Sequence, residues 1–190
     1  KGKYGKDIEV ICNGFKTDDY LAKISDLINN GFQNIIPILD NYRELDKLTE
    51  SIDTTFNIGI RIASEEEPKF EFYTSRLGIG YKDIIPYYSQ KIAEHPNARL
   101  KMLHFFINTG IKDTAYYWNE LYKCLRVYAR LKKIAPEVDS LNIGGGFPIK
   151  TSLNFDYDYQ YMVNAIVSQI KKFCEEEGVE EPNIYTEFGS

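Results

Sequence analysis

Short apolar runs separated by longer amphipathic stretches constrain this chain more than any other feature of its sequence. Residues 8–12, 34–39, 56–63, 100–107, 141–144 and 183–188 are six runs of strand length. The stretches between them carry helical spacing. Residues 17–30 place Leu21, Ile24, Leu27 and Ile28 on one face, and Gly31 is positioned to end the helix. Residues 41–52 turn Leu45, Leu48 and Ile52 inward, and a further helix is expected near residues 83–94. Residues 114–134 carry a stripe of Leu121, Cys124, Leu125, Tyr128 and Leu131, with Asp113 or Thr114 able to cap its start. Residues 157–177 are expected to turn Tyr161, Val163, Ile166, Val167 and Ile170 mostly inward. Strand followed by helix, repeated, means parallel strands joined by crossovers. The strands are apolar without strict alternation, as expected when helices cover the sheet. An open doubly wound sheet and a closed barrel both fit this pattern.

The chain has 190 residues, 43% of them hydrophobic, and a formal net charge of −5. That suffices for one domain with a real core but falls short of the roughly 200 residues a whole eight-stranded α/β barrel needs. The acidic balance argues against a nucleic-acid or anionic-membrane surface, since both require clustered Lys and Arg. No apolar run approaches the ~20 residues of a membrane span. Cys12, Cys124 and Cys174 are scattered, which reads as free thiols in a reducing cytoplasm. With no zinc-ligand spacing and only two histidines, no metal site is expected. The connection over residues 64–78 is long enough to suggest a functional loop, although Glu65 to Glu67 also fit a solvated acidic turn.

Four features could carry chemistry. Gly144, Gly145 and Gly146 leave a strand end bare of side chains, so that main-chain N–H groups could approach an anion; glycines also make tight turns with no ligand. Glu187 closes the last apolar run, at the end of a parallel sheet where ligands bind. It could equally be salt-bridged to a neighbour. His104 and Phe106 are two apart in a strand and so share a face, with Phe106 nearer the mouth; a hydrogen-bonded core histidine is the plainer reading. Arg61 is a charge inside an apolar strand, and a carboxylate or a cofactor oxygen would serve equally as its partner.

Taken in order, these segments resemble the pyridoxal-phosphate (PLP) decarboxylases of the alanine-racemase fold type, and within them the biosynthetic arginine decarboxylases of the Bacteroidetes type. Ile11 to Lys16 resembles a "CNGxK" strand end, Gly59 to Ile62 a "GxRI" strand, and Ser75 to Gly78 a "KFG"-like turn. Leu103 to Gly110 resembles "LHFHIGSQ", Asn142 to Phe147 "DIGGGxG", and Thr186 to Gly189 "SExGR". The resemblance implies an α/β fold: a partial (β/α)8 TIM-like barrel of about six of its eight strands, filling the whole chain. It implies PLP as cofactor, with the phosphate on Gly144, Gly145, Gly146, Gly189 and Ser190. Glu187 would face the ring nitrogen as the catalytic carboxylate, Phe106 would stack on the ring, and His104, Thr109 and Arg61 would line the cofactor site. Phe106 and Ser190 depart from the usual histidine and arginine. A phenyl ring stacks but donates no proton, and a hydroxyl lacks the charge-assisted contact to phosphate.

By the same resemblance the lysine that binds the cofactor covalently belongs to a strand upstream of residue 8, and substrate-end residues belong to a later β domain and a partner subunit. The chain alone is therefore expected to be inactive, as part of a cytoplasmic, homo-oligomeric carboxy-lyase that takes arginine to agmatine and CO2 for polyamine synthesis. Ornithine, diaminopimelate and carboxynorspermidine remain open as substrates. A PLP-homeostasis barrel without decarboxylase activity, and a barrel binding a sugar phosphate, also remain open.

Overall fold

The computed structural model describes residues 8–63, 77–107, 110–149 and 156–187. The strands are β1 (Val10–Cys12), β2 (Ile35–Leu39), β3 (Phe56–Ala63), β4 (Ile79–Gly80), β5 (Ala98–Phe105), β6 (Ser140–Asn142) and β7 (Asn183–Tyr185). The helices are α1 (Asp18–Asn29), α2 (Tyr42–Ser51), α3 (Ile84–Tyr87), which runs on as a π-helical stretch over Tyr88–Ile92, α4 (Ala115–Ile134) and α5 (Tyr159–Glu177). Local chemistry sets the helix starts. Thr17, Asn41, Thr114 and Asp158 each accept the N–H three residues on, at 3.3, 3.2, 3.1 and 2.8 Å, satisfying a donor that the first helical turn leaves unpaired. At the other end of α5, Gly178 takes the left-handed conformation that closes a helix, with φ +65°.

All strand pairings are parallel, in the order β1-β2-β3-β5-β6-β7. The two-residue β4 pairs with β3 at Ile62 and Ala63, beyond the point where β2 stops. Five interstrand gaps of about 4.8 Å would hold β1 and β7 about 24 Å apart in a flat sheet. Instead, the Tyr185 hydroxyl donates to Glu9 and the Asn13 amide donates to Glu187. The sheet therefore curls into a half-barrel whose first and last strands reach each other through side chains. Its inner face holds a small apolar cluster of Ile36, Ile38 and Met102, flanked by Ile11 and Tyr185. The main core lies on the outer face, where Ile58, Ile60, Leu103 and Leu141 pack beneath Leu48 of α2 and Leu121 and Leu125 of α4.

The six expected strands and the helices between them are present, and Leu121, Cys124, Leu125, Tyr128 and Leu131 of α4 are buried. Two helix faces differ from expectation. In α5 the buried residues are Met162, Ile166, Ile170, Phe173 and Cys174, while Tyr161, Val163 and Val167 are 57%, 41% and 46% exposed. The row repeating by four from Met162 meets α4 and the sheet, and the three outward residues sit a quarter-turn or more away. Leu27 of α1 is likewise exposed, because Leu21, Ile24 and Ile28 already fill the contact. All three cysteines are free and buried. Among the described residues no helix is long and apolar enough to cross a membrane. The acidic turn and the Ser75-Arg76 pair of the long connection lie outside the described residues.

Candidate functional site at the carboxyl ends of the strands

Strand register builds the site. Arg61, His104, Asn142 and Tyr185 are consecutive partners across β3, β5, β6 and β7. Partners in a parallel sheet share a face, and the apolar contacts of Tyr185 assign this row to the inside of the half-barrel. Glu187 follows Tyr185 by two residues and so joins the same face, one level nearer the mouth. Its backbone N–H donates to the Gly144 carbonyl at 2.9 Å, which ties the end of β7 to the glycine turn after β6.

The Glu187 carboxylate is 38% exposed and held through one oxygen. Oε1 accepts the Asn142 amide at 2.7 Å and the Asn13 amide from across the half-barrel, and His104 Nε2 lies 3.6 Å away. Oε2 has no donor among the described residues. Asn142 is fully buried and its orientation is fixed, since its Oδ1 accepts the Gly144 N–H at 2.8 Å.

The glycine turn is a place of close backbone approach. A Cβ on Gly145 would lie 2.5 Å from the Glu187 carbonyl, and one on Gly146 2.7 Å from Gly110 Cα. Gly144 and Gly146 also adopt φ +71° and +99°, where side chains are strained. One N–H of the three, that of Gly144, is consumed by Asn142. The Gly145 and Gly146 N–H groups have no acceptor among the described residues.

His104 is almost wholly buried, and neither ring nitrogen has a hydrogen-bond partner. Burial first, then the positive fields of Arg61 and Lys16, push its pKa down to about 3. The ring is therefore neutral at ordinary pH. Arg61 reaches toward Asp40 Oδ1 at 3.8 Å and lies 5.7 Å from the Phe106 ring centroid, with Nε buried and unpaired. The structure thus brings Arg61, His104, Phe106, the three glycines and Glu187 to one mouth. Thr109, Gly189 and Ser190 lie outside the described residues.

Sequence reasoning assigned no role to three groups. Asn13 and Asn142 hold Glu187. Lys16 is fully buried, and its ammonium donates to the Gly14 carbonyl at 2.9 Å, to the Ile38 carbonyl, to Glu44 at 3.1 Å and to Asp40 at 3.3 Å. Glu44 also accepts the Asp40 N–H at 2.9 Å. Burial raises the Glu44 pKa, against the pull of that N–H and of Lys16. The available signal was Asn41-x-x-Glu44, an N-cap pattern that fixes Glu44 beside the end of β2.

The parallel sheet forms an α/β half-barrel of six strands, like the barrel of the alanine-racemase type, with a held carboxylate beside a bare glycine turn at its mouth. The chain belongs to the family described as "Pyridoxal-dependent decarboxylase, pyridoxal binding domain", whose sequence model it matches over residues 6–190. Among curated relatives, the biosynthetic arginine decarboxylase of Citrifermentans bemidjiense is 24% identical over 97% of this chain and 31% of that protein. That of Geotalea uraniireducens is 28% identical over the same shares. Among solved structures, the biosynthetic arginine decarboxylase from Campylobacter jejuni superposes with a TM-score of 0.73 at 22% identity, over 97% of this chain and 31% of that one. Diaminopimelate decarboxylase from M. jannaschi gives 0.74 at 21% identity, over 93% and 42%. At such identities the structural likeness is one of fold. The chain spans about a third of the length of the curated relatives it matches.

The family implies PLP, and the residues at the mouth fit that group. Two unengaged main-chain N–H groups suit a phosphate, Glu187 Oε2 suits a protonated ring nitrogen, and the orphaned nitrogens of His104 and Arg61 await polar partners.

Proposed function

We propose that this chain is the cofactor-binding barrel portion of a PLP-dependent arginine decarboxylase, which releases CO2 from arginine and leaves agmatine for polyamine synthesis. The observation that carries the reading is a carboxylate at position 187, held by two amides and tied through its own N–H to the glycine turn. Bound PLP supplies an electron sink for the pair left behind when CO2 departs. The protein's task is to bind, orient and charge-match that group. The Gly145 and Gly146 N–H groups would hold the phosphate, with Gly189 and Ser190 completing the cradle. Glu187 would keep the ring nitrogen protonated, an electrostatic contribution that an arginine there could not make. Phe106 would cover one ring face, and Arg61, His104 and Thr109 would line the site. Arginine as the substrate is supported by the named relatives, which match nearly the whole chain. The covalent lysine and the substrate-end residues lie, on this reading, outside these 190 residues.

The test is CO2 release from labelled arginine, ornithine, lysine and diaminopimelate by the full-length protein, with Glu187→Arg alongside. Preference for arginine and a turnover reduced at least a hundredfold by the substitution are expected. Turnover unchanged by Glu187→Arg would count against the sink role, and preference for another amino acid would move the substrate assignment.

A further inference from the structure

Glu187 is positioned by neutral groups alone. Three strand ends meet at its Oε1: the loop after β1 supplies Asn13, β6 supplies Asn142, and the carboxylate itself follows β7. The orientation of the Asn142 amide is determined, because its oxygen is committed to the Gly144 N–H and so its nitrogen must face Glu187. The charged and titratable groups around the carboxylate are His104 on β5, Arg61 on β3, Lys16 after β1, and the Glu9–Tyr185 pair. His104 stays neutral, Lys16 is committed to Asp40 and Glu44, and Arg61 is directed to Asp40 and the Phe106 ring. No cation contacts Glu187 among the described residues.

We propose that Asn13 and Asn142 are positioning residues that fix on which side the proton sits between Glu187 and the cofactor ring nitrogen. This rests on the cofactor reading above. A carboxylate and a protonated ring nitrogen that lose water around them can neutralise each other by moving the proton to oxygen. Donors to the ionised carboxylate lower its proton affinity and oppose that transfer. Lysine or arginine donors would do so too, but their charge would also repel a protonated ring. Two amides supply donation without charge. By saturating Oε1 they leave Oε2 as the oxygen available to the ring.

Pyridoxine 5′-phosphate is the probe. It has no aldehyde, so it reads the non-covalent site without any lysine bond, and its near-ultraviolet absorption reports whether the ring nitrogen carries a proton. The full-length apo-protein is titrated with it at pH 8, together with Asn13→Ala, Asn142→Ala, the double variant and Glu187→Gln, with far-ultraviolet circular dichroism checking the fold. The wild type is expected to bind the protonated ring. Each folded single variant should bind several-fold more weakly with a visibly smaller protonated fraction, and the double variant should approach Glu187→Gln. Asn13 lies in a loop end, so Asn13→Ala keeps the test informative if Asn142→Ala unfolds. A protonated fraction unchanged in folded Asn13→Ala would overturn the positioning role while leaving the cofactor reading intact. Failure of the full-length wild-type apo-protein to bind the probe would overturn both.

Discussion

Replacing Lys16 by Met keeps the aliphatic stem and removes the ammonium, and the cost can be worked out from the groups that ammonium serves. Lys16 has no exposed side-chain surface, and its nitrogen is the shared partner of Asp40 and Glu44, themselves 0% and 4% exposed. Removing it leaves two buried carboxylates facing each other and two main-chain carbonyls without their donor. Arg61 offers Asp40 only a distant partner at 3.8 Å. Breaking one side of a buried ion pair costs about 3–5 kcal/mol. With a urea m-value of about 2 kcal/mol per molar, the midpoint should fall by about 1.5–2.5 M. The loss should depend on pH in a defined direction. The folded pKa of Glu44 is already raised above 4.5, chiefly by burial, and Lys16 opposes that rise. A carboxyl raised in this way contributes stability that is fully present below its unfolded value and lost as pH rises through the folded one. Lys16→Met raises Glu44 further, so the deficit against wild type should be largest at pH 7–8 and shrink toward pH 5. The assay is urea unfolding by circular dichroism at pH 5, 6, 7 and 8, with Lys16→Met/Glu44→Gln expected to recover part of the loss. A midpoint shift below about 0.5 M at pH 7, or a deficit that grows on acidification, would show that this buried cluster does not stabilise the fold in the way described.

Gly145→Ala puts a Cβ 2.5 Å from the Glu187 carbonyl, a backbone atom that cannot yield cheaply. A stability loss of about 1–3 kcal/mol in thermal unfolding is expected, with pyridoxine 5′-phosphate binding weakened at least tenfold; unaltered binding would rule out the glycine cradle. The His104 ring, with its pKa pushed down to about 3, should stay neutral from pH 8 to 5 by two-dimensional NMR. Its depressed pKa makes the folded chain lose stability as pH falls from about 6.5 toward 3. His104→Gln should flatten that slope relative to wild type.

The order of elements was legible because strand runs and helix stripes differ in period, and the N-caps Thr17, Asn41 and Thr114 mark where the change occurs. The α5 face was not. Tyr161, Val163 and Val167 are apolar enough to compete with Met162 and Phe173, and only packing against α4 decides between the two sides. The two-residue β4 has no periodicity to read and exists because β2 ends early beside β3. At the site, Glu187, His104, Arg61 and the glycines could be found as chemistry-bearing residues at strand ends. The supports could not. Asn13 and Glu187 stand 174 positions apart, and the arrest of Gly144 N–H by Asn142 depends on a turn geometry that a glycine run does not specify. No spacing in the sequence joins Lys16 to Asp40 and Glu44, and their burial together emerges only when the ends of β1 and β2 lie side by side.

The contacts joining Glu9 to Tyr185 and Asn13 to Glu187 carry a consequence for synthesis. They span 176 and 174 positions, nearly the whole sequence. During translation the helices and the middle of the sheet can settle as they emerge, but the opening of the half-barrel stays without its carboxylate until β7 and Glu187 leave the ribosome. Asn13 and Glu9 must wait for partners made 174 and 176 residues later, so a nascent chain halted just before position 187 would have a packed outer core and an unfinished mouth.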